Sequence, residues 1–464
     1  MTLNLEKTHA TKVAADQLVN ELANMVILEG ITPLKALTLK AQEDAKQDDW
    51  QIFLSGSSFI SGSTNPFHFL VNKFVKVFYG LNANLVLGSA YHKGLEYAGK
   101  AFIETGKYPR FGKALASSIA YIDENFALIK TEERPEKKEL YYEVARLLKA
   151  YWPELDKNRP VEVETFVQMP APEYMLRDAA NASKIYLTGA ADTIYETKNG
   201  LVLSDHKTSK KPISGTAKKD EKTLRLEKEI KANKAALVKA SKAMEKLSQS
   251  PQKLADAQRE LGDISLKIVD AQEAGKATTQ LKKRYEKWQK EVAKWKERVE
   301  KLKGAQAQAE ELSKTIEQDE EILFELLKSF EEEKEKEDLL EAKRMHGQQL
   351  AFYAMLYMIT TGKEIKRVRL ENMVKATAKP YLQVFEWELD DMVLAKAEEQ
   401  IRAAVTRIEL MLEGIDPLVL FPLNPMSFIG SETNKLVADI EAVAELLRKE
   451  VIGDEESSLQ GDAA

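Results

Sequence analysis

Residues 189–209, GAADTIYETKNGLVLSDHKTS, have the pattern of a strand, a tight turn at KNG and a second strand. Asp205 and Lys207 are two residues apart and share one face of the sheet, whereas His206 points to the other face. An antiparallel hairpin brings Asp192 close to Asp205, and neighbouring carboxylates repel each other unless a divalent cation lies between them. Because hard cations prefer oxygen ligands, the stretch predicts a site for Mg2+ or Mn2+.

An isolated Asp-x-Lys pair is most often a surface ion pair on an edge strand. Here the apolar run LVLSD leads directly into Asp205, which indicates a buried strand that ends at a polar site. On that face Lys207 could orient a water molecule or stabilise negative charge that develops on a phosphate.

The segments around this hairpin alternate between strand and helix periodicity. The predicted strands also include 161–168, 367–376 and 382–389. The predicted helices are 9–28, 33–46, 67–79, 86–105, 344–361, 391–413 and 432–449, and further helices are predicted within 112–152. Residues 51–64 are rich in Ser and Gly and are predicted to form a loop. The predicted segments are N-terminal helices 1–50, core segments 51–217 and 344–430, a helical insertion 218–343, and a C-terminal helix with a disordered tail, 431–464, the tail starting at Ile452.

The insertion is predicted to be a coiled-coil arm of long helices. From residue 281 its apolar residues recur in steps of four and three, and Trp288 and Trp295 occupy such seam positions, where core packing is favoured over base stacking. Breaks are expected at Pro251, Gly275 and Gly304. The arm is either a structural spacer or a surface that binds a protein partner or DNA.

Charge is distributed unevenly along this arm. Residues 218–303 contain 24 Lys/Arg and 14 Asp/Glu, a net of +10, whereas residues 304–343 contain 5 and 14, a net of −9. The simplest explanation is that basic and acidic helices pair along the arm, and the alternative is a free basic face that meets phosphate.

Four ordered motifs carry a resemblance to a known family. They are Gly88-x-x-x-His92-x-x-x-Glu96, Gly189-x-x-Asp192, Asp205-His206-Lys207-Thr208 and Gln349-x-x-x-Tyr353. In this order the chain resembles the PD-(D/E)xK nuclease superfamily, in its RecB-like branch (AddB-like and phage-exonuclease-like), over roughly 51–217 and 344–430. The resemblance implies an α/β restriction-endonuclease-like core, a mixed central sheet flanked by helices, into which the coiled-coil arm is inserted.

The same resemblance implies roles for individual residues. His92, Asp192, Asp205 and the backbone carbonyl of His206 would bind the metal, and Lys207 would be the catalytic lysine. Gln349 and Tyr353 would position the substrate or brace the site, Glu96 would orient His92, and Glu164 is a further candidate to face the site. Without the family context, His92 would be an ordinary packed histidine, and Gln349 and Tyr353 would belong to an ordinary amphipathic helix. His9, His68 and His346 show no ligand spacing and are expected to be structural.

The chain departs from the family pattern because it contains no cysteine. Many RecB-like nucleases hold an iron–sulfur cluster, and no such cluster, disulfide or cysteine nucleophile can form here. Asn65 stands where the first cluster cysteine is expected. The only metal expected is therefore a hard divalent cation.

The predicted function is a metal-dependent DNA nuclease, with exonuclease action favoured, that acts on single- or double-stranded DNA in phage or mobile-element recombination, replication or repair. The alternatives are a nuclease-like scaffold that recruits a partner through the arm, and an RNA endonuclease. No secretory signal and no apolar run of about 20 residues is visible, so a cytoplasmic protein of a bacterium or phage-infected host without membrane segments is expected. The net charge of −6 argues against coating nucleic acid by overall charge.

Overall fold

The computed structural model describes residues 5–47, 49–57, 65–75, 80–130, 132, 134–157, 159–274, 276–376, 379–424 and 432–461. They form two compact units, one comprising Met1–Ser214 with Leu339–Ala464 and the other Gly215–Asp338. The second unit corresponds to the insertion predicted at 218–343. No single helix among the described residues is long and apolar enough to cross a membrane, although the bent pair Ala15–Leu28 and Pro33–Ala45 passes together by length and composition.

The first unit is built on a six-stranded mixed sheet flanked by helices, which confirms the predicted α/β fold. Its strands are β1 Ile52–Leu54, β2 Pro160–Pro170, β3 Ile185–Thr197, β4 Gly200–Ser209, β5 Ile365–Val374 and β6 Tyr381–Glu388. Its helices before the insertion are α1 Leu5–Leu28, α2 Pro33–Ala45, α3 Pro66–Leu70, α4 Ala83–Thr105, α5 Phe111–Asn125 and α6 Lys137–Tyr151. After β6 come α10 Asp391–Leu412, α11 Pro417–Leu420 and α12 Glu432–Gly461.

The long strand β3 organises the sheet. It pairs antiparallel with β2 along most of its length, parallel with β1 at its start and antiparallel with β4 at its end. Strand β4 then continues parallel to β5, and β5 pairs antiparallel with β6. Beyond Thr193 and Ser204, strands β3 and β4 are no longer paired with each other, and the sheet opens at that point.

The sheet separates two apolar cores. Leu370 and Met373 lie on opposite faces of β5, because they are three residues apart, and each belongs to a different cluster. The Met373 cluster is formed mainly by α4, α5 and α6, with the fully buried Tyr91 at its centre. The Leu370 cluster joins the sheet to the N-terminal and C-terminal helices.

The second unit consists of α7 Glu221–Leu247, α8 Ser250–Glu273 and the first part of α9 Thr279–Thr361. Pro251 lies in the first turn of α8, where a missing N–H costs nothing. The seam positions of α9 point inward, with Val292 and Leu302 buried. Gly275 lies outside the described residues.

Several sequence expectations need correction. The predicted loop 51–64 contains strand β1, and residues 58–64 lie outside the described part of the chain. In the helix predicted at 67–79, the segment Val71–Val75 is a π-helix, and residues 76–79 also lie outside the described part. By contrast, the helices predicted within 112–152 are present as α5 and α6. A disordered tail was expected from Ile452, but helix α12 continues from there through Gly461. The segment contains no proline that would end the helix.

The largest difference is that the predicted helix 344–361 is not a separate element. It is the last part of α9, an 83-residue helix that also forms part of the arm. The expected break at Gly304 is absent from it, because a single glycine lowers helix stability by only about 1 kcal/mol and the surrounding Ala, Gln and Glu are good helix formers.

Candidate active site

Asp192 and Asp205 lie where β3 and β4 separate. The last paired residues of the two strands are Thr193 and Ser204, so the two aspartates are the first residues beyond the pairing. Both carboxylates are nearly inaccessible to solvent, with 12% and 4% of their side chains exposed. The structure thus brings together the two carboxylates that the hairpin pattern predicted.

Asp192 occupies the opening between the strands. Its Oδ2 accepts a hydrogen bond of 2.6 Å from the backbone N–H of His206, a donor that the lost strand pairing would otherwise leave without a partner. Because the N–H and C=O of one strand residue point to the same edge, the His206 carbonyl also faces the opening. This orientation agrees with the role proposed for that carbonyl.

His92 reaches the same opening from helix α4. Its Nδ1 lies 3.4 Å from Asp192 Oδ1. Burial lowers the pKa of His92, but the charge of Asp192, its hydrogen bond with His92 and the charge of Asp205 together outweigh burial and raise the pKa. Conversely, burial raises the pKa of Asp192, but His92, His206 and Lys207 together hold it well below its ordinary value. Helix α4 approaches β4 closely because Gly88 has no side chain, and a Cβ there would lie 3.2 Å from Thr208 Oγ1.

Glu164 completes a cluster of three ligand side chains. Ligand atoms of His92, Glu164 and Asp192 lie within 4.8 Å of one another. Glu164 has a φ of +49°, the one positive φ of a non-glycine residue among the described residues. Such a conformation costs roughly 1–3 kcal/mol and is found where the surroundings impose it, often at functional sites. The strand before the hairpin therefore supplies a carboxylate, which sequence reasoning named only as a further candidate.

The electrostatics of this cluster fit a divalent cation. Burial raises the pKa values of Asp205 and Glu164, and the neighbouring charge of Asp192 raises both further. The carboxylates of Glu164, Asp192 and Asp205 repel one another when ionised, and a doubly charged ion removes that repulsion. Oxygen donors with one nitrogen suit Mg2+ or Mn2+, so the residues present fit the metal that the sequence predicted.

Lys207 lies beside these carboxylates on the same face of β4 as Asp205. Its Nζ is 2.6 Å from Asp205 Oδ2. Burial lowers the pKa of Lys207, but the charges of Asp205 and Asp192 and the hydrogen bond to Asp205 together raise it, and the net shift is upward. The side chain is therefore a fixed ammonium at neutral pH and a donor of hydrogen bonds.

Gln349 and Tyr353 come from the last part of α9. Gln349 Nε2 donates a 2.9 Å hydrogen bond to the Tyr353 hydroxyl. The Tyr353 ring lies against β3 at Gly189, where a Cβ would come within 2.9 Å of its Cδ1. The fourth motif, Gln-x-x-x-Tyr, thus packs against the second, Gly-x-x-Asp. It also lies close to the third, Asp-x-Lys, since the charges of Asp205 and Lys207 both act on the Tyr353 hydroxyl.

Glu96 has partners other than the predicted one. It forms ion pairs with Lys93 and with Lys100, the latter at 2.6 Å, because both lysines lie one turn away on α4. The recorded partner of His92 is instead Asp192. Glu96 therefore acts on the site through charge, and it contributes to the raised pKa of Glu164.

The His206 ring lies on the opposite face of β4, as the alternation predicts. It is buried, with Nδ1 3.1 Å from Glu371 Oε2 and Nε2 3.1 Å from Thr193 Oγ1. The Tyr151 hydroxyl donates a hydrogen bond to Glu371. Sequence reasoning missed Glu371, because only the parallel pairing of β4 with β5 brings it opposite His206.

The site opens into a cleft of about 670 Å3. Its lining includes His92, Glu164, Asp192 and Lys207, and also polar residues that sequence reasoning did not name, Asn82, Asn84, Ser89 and Tyr121. His346, expected to be structural, lies close enough to Lys207 to feel its charge. Burial, together with that charge, lowers the pKa of His346 to about 4.

Comparison with known proteins agrees with this geometry. A model of the PD-(D/E)XK nuclease superfamily matches residues 54–319, more than half of the chain. The match includes His92, Asp192, Asp205 and Lys207 and ends before Gln349. No curated protein and no solved structure matches the chain.

Proposed function

Since the chain belongs to the PD-(D/E)XK nuclease superfamily, we propose that it is a divalent-metal-dependent nuclease that hydrolyses phosphodiester bonds in DNA. The observation that carries this proposal is the grouping of His92, Glu164 and Asp192 within 4.8 Å, beside the ion pair of Asp205 with Lys207. All five side chains belong to one unit.

In this proposal His92, Glu164, Asp192, Asp205 and the His206 carbonyl hold Mg2+ or Mn2+. The bound ion would lower the pKa of a coordinated water and stabilise the charge that develops on the phosphate. Glu164 joins the predicted ligands because it clusters with His92 and Asp192. Asp205 is not one of the three side chains of that cluster, and its Oδ2 holds Lys207 Nζ at 2.6 Å.

Lys207 acts as a hydrogen-bond donor to the reacting phosphate or to the attacking water. Its raised pKa keeps the ammonium protonated, so stabilisation of negative charge, and not proton abstraction, is the role that its electrostatics favour. Tyr353, hydrogen-bonded to Gln349, supports the sheet behind this lysine. Burial raises the pKa of Tyr353, so its hydroxyl stays neutral at physiological pH.

The finer assignments follow the resemblance to the RecB-like branch. We propose exonuclease action on DNA, in phage or mobile-element recombination, replication or repair, within the cytoplasm. The lack of cysteine makes this a chain without the cluster that many members of that branch hold.

The decisive experiment compares Lys207→Gln with Lys211→Gln, a matched control at an exposed lysine four residues further on. Both proteins are incubated with end-labelled linear DNA, circular DNA and RNA of the same sequence, with Mg2+ or Mn2+. We expect Lys207→Gln to lower the cleavage rate by about 10²-fold or more, and Lys211→Gln to leave it unchanged. Survival of the circular DNA would support exonuclease action.

Other outcomes would favour the alternatives. Full activity of Lys207→Gln would remove the lysine from the mechanism. Cleavage of RNA with intact DNA would change the substrate to RNA. If calorimetry detects no Mn2+ uptake and neither polymer is cut, the nuclease-like unit is a scaffold and the proposal fails.

A further inference from the structure

The first part of α9 carries a concentrated positive charge. Residues 279–303 contain ten Lys/Arg and four Asp/Glu, a net of +6, whereas residues 304–338 contain four and thirteen, a net of −9. The helix therefore changes sign along its length within the second unit. Neither the cleft nor its proposed mechanism uses this charge.

Six of the ten positive residues of this part form one stripe along the helix. The stripe consists of Lys283, Lys287, Lys290, Lys294, Arg298 and Lys301, which follow one another in steps of four, three, four, four and three. Such steps put side chains on one helix face, and all six residues are exposed. At 3.6 residues per turn, the stripe lies roughly 130° around the axis from the apolar seam and extends about 27 Å.

The arm neutralises little of this charge. Lys294 and Lys301 pair with Glu291 and Glu297 on the same helix, at 3.3 and 2.6 Å, and exposed pairs of this type are weak. Among the described residues, no ion pair is recorded for the first three lysines of the stripe.

In the part of the arm that the structure describes, the pairing of basic with acidic helices predicted from the sequence does not involve the stripe. The ion pair recorded between different helices of the arm joins Lys234 of α7 to Glu320 of α9, at 2.5 Å. Arg298 lies over the Trp295 ring, 4.6 Å from its centroid, and this contact leaves its charge in place.

We propose that the stripe binds the sugar–phosphate backbone of DNA. Successive cations are separated by about 4.5–6 Å along the axis, so one row of exposed donors meets the phosphates of a strand repeatedly. Lysine and arginine contacts of this kind position DNA without reading its sequence. The acidic remainder of α9 repels the same polymer and limits binding to the stripe. This inference rests on the proposed function for the identity of the polymer.

The test uses the full chain in EDTA, so that DNA is bound and not cut. The triple variant Lys283→Gln, Lys287→Gln and Lys290→Gln is compared with a matched control, Lys282→Gln, Lys296→Gln and Lys303→Gln. The control loses the same charge from the same part of α9, but from exposed positions on another face. Circular dichroism verifies that both variants keep their helix content, as expected for glutamine, a good helix former.

Binding of fluorescently labelled duplex and single-stranded DNA is measured by anisotropy between about 50 and 200 mM salt. We expect the stripe variant to bind duplex at least tenfold more weakly at the lower salt concentration. Its slope of log affinity against log salt should be smaller by roughly two to three units, since each lost phosphate contact removes about 0.9. The control variant should stay close to the wild type.

Three results would overturn the inference. Equal losses in the two variants would show that total charge matters and the face does not. Unchanged DNA binding by the stripe variant would show that the stripe does not contact DNA. Loss of self-association in sedimentation, with DNA binding intact, would identify the acidic segment of a second copy as the occupant. If the wild type cleaves DNA in any of these cases, the proposed function stands, and if it neither binds nor cleaves DNA, both fail.

Discussion

Replacing Gly189 by alanine tests the contact between two distant motifs. A methyl group at this position would lie 2.9 Å from Tyr353 Cδ1 and 3.2 Å from Leu356 Cδ2, whereas ordinary contacts begin near 3.4 Å. The Tyr353 ring has little room to retreat, because it also lies against Gly56 and its hydroxyl is bonded to Gln349. Overpacking of this kind costs about 1–3 kcal/mol.

The sign of the effect makes this prediction sharp. Gly→Ala in a strand interior is ordinarily stabilising by roughly 0.5–1 kcal/mol, because alanine loses less conformational freedom on folding. The structure predicts the opposite sign for Gly189. In a Tyr353→Ala background the ring is absent, so the same substitution should cost less, which a double-mutant cycle would record as coupling.

Urea unfolding followed by tryptophan fluorescence measures the change in stability of the first unit, which contains Gly189. Of the five tryptophans, Trp288 and Trp295 lie in the arm, and replacing both by phenylalanine leaves only reporters in the first unit. We expect a lower urea midpoint for Gly189→Ala with an unchanged slope. An unchanged or higher midpoint would refute the packing argument, as would a cost that persists in full without the Tyr353 ring.

Three further predictions concern other positions. Mn2+ affinity, measured by calorimetry, should begin to fall as the pH decreases through neutrality, because His92 must be neutral to bind metal and its pKa is raised above 6.5. An affinity that does not change with pH would exclude His92 as a ligand. The pKa of His346 is lowered from 6.5 to about 4, so between these pH values the unfolded chain binds more protons than the folded chain, and the free energy of unfolding falls as the pH falls. In urea titrations His346→Asn should reduce this dependence of stability on pH. An unaltered pH profile would contradict the assignment. Gly304→Ala, with open space around the new methyl group, should stabilise the arm by about 1 kcal/mol in thermal unfolding, and a destabilised arm would argue against a continuous α9.

The hairpin and its charged pair could be predicted because their signals are local. The alternation of residues around Asp192 and Asp205 sets both the strands and the shared face, and the chain's own turn sets the register. The helix that carries His92 also lies where the pattern placed it. Periodicity alone therefore accounts for most elements of the first unit and for the meeting of its carboxylates.

Other parts of the site depend on contacts that no local pattern encodes. The positive φ of Glu164 is imposed by its surroundings, and alternation alone does not reveal it. Glu371 meets His206 only through parallel pairing across more than 150 residues of sequence. Strand β1 is three residues long, too short to give a period, and its Ser- and Gly-rich continuation favours a loop.

The continuity of α9 escaped prediction for a different reason. Gly304 and the change of charge sign suggested a boundary, yet neither stops a helix whose other residues are good helix formers. Tyr353 and the arm thus belong to one element, although the sequence divided them between two.

The two ends of the insertion meet. The backbone N–H of Gly215 donates a hydrogen bond of 2.7 Å to Asp338, and a Cβ on Gly215 would lie 2.6 Å from the carbonyl carbon of Glu337. Because the insertion begins and ends at neighbouring positions, it constrains the path of the surrounding chain no more than a short surface loop does. In evolutionary terms, the arm is therefore a module that could be gained, exchanged or lost at a single junction while the fold of the first unit stays intact.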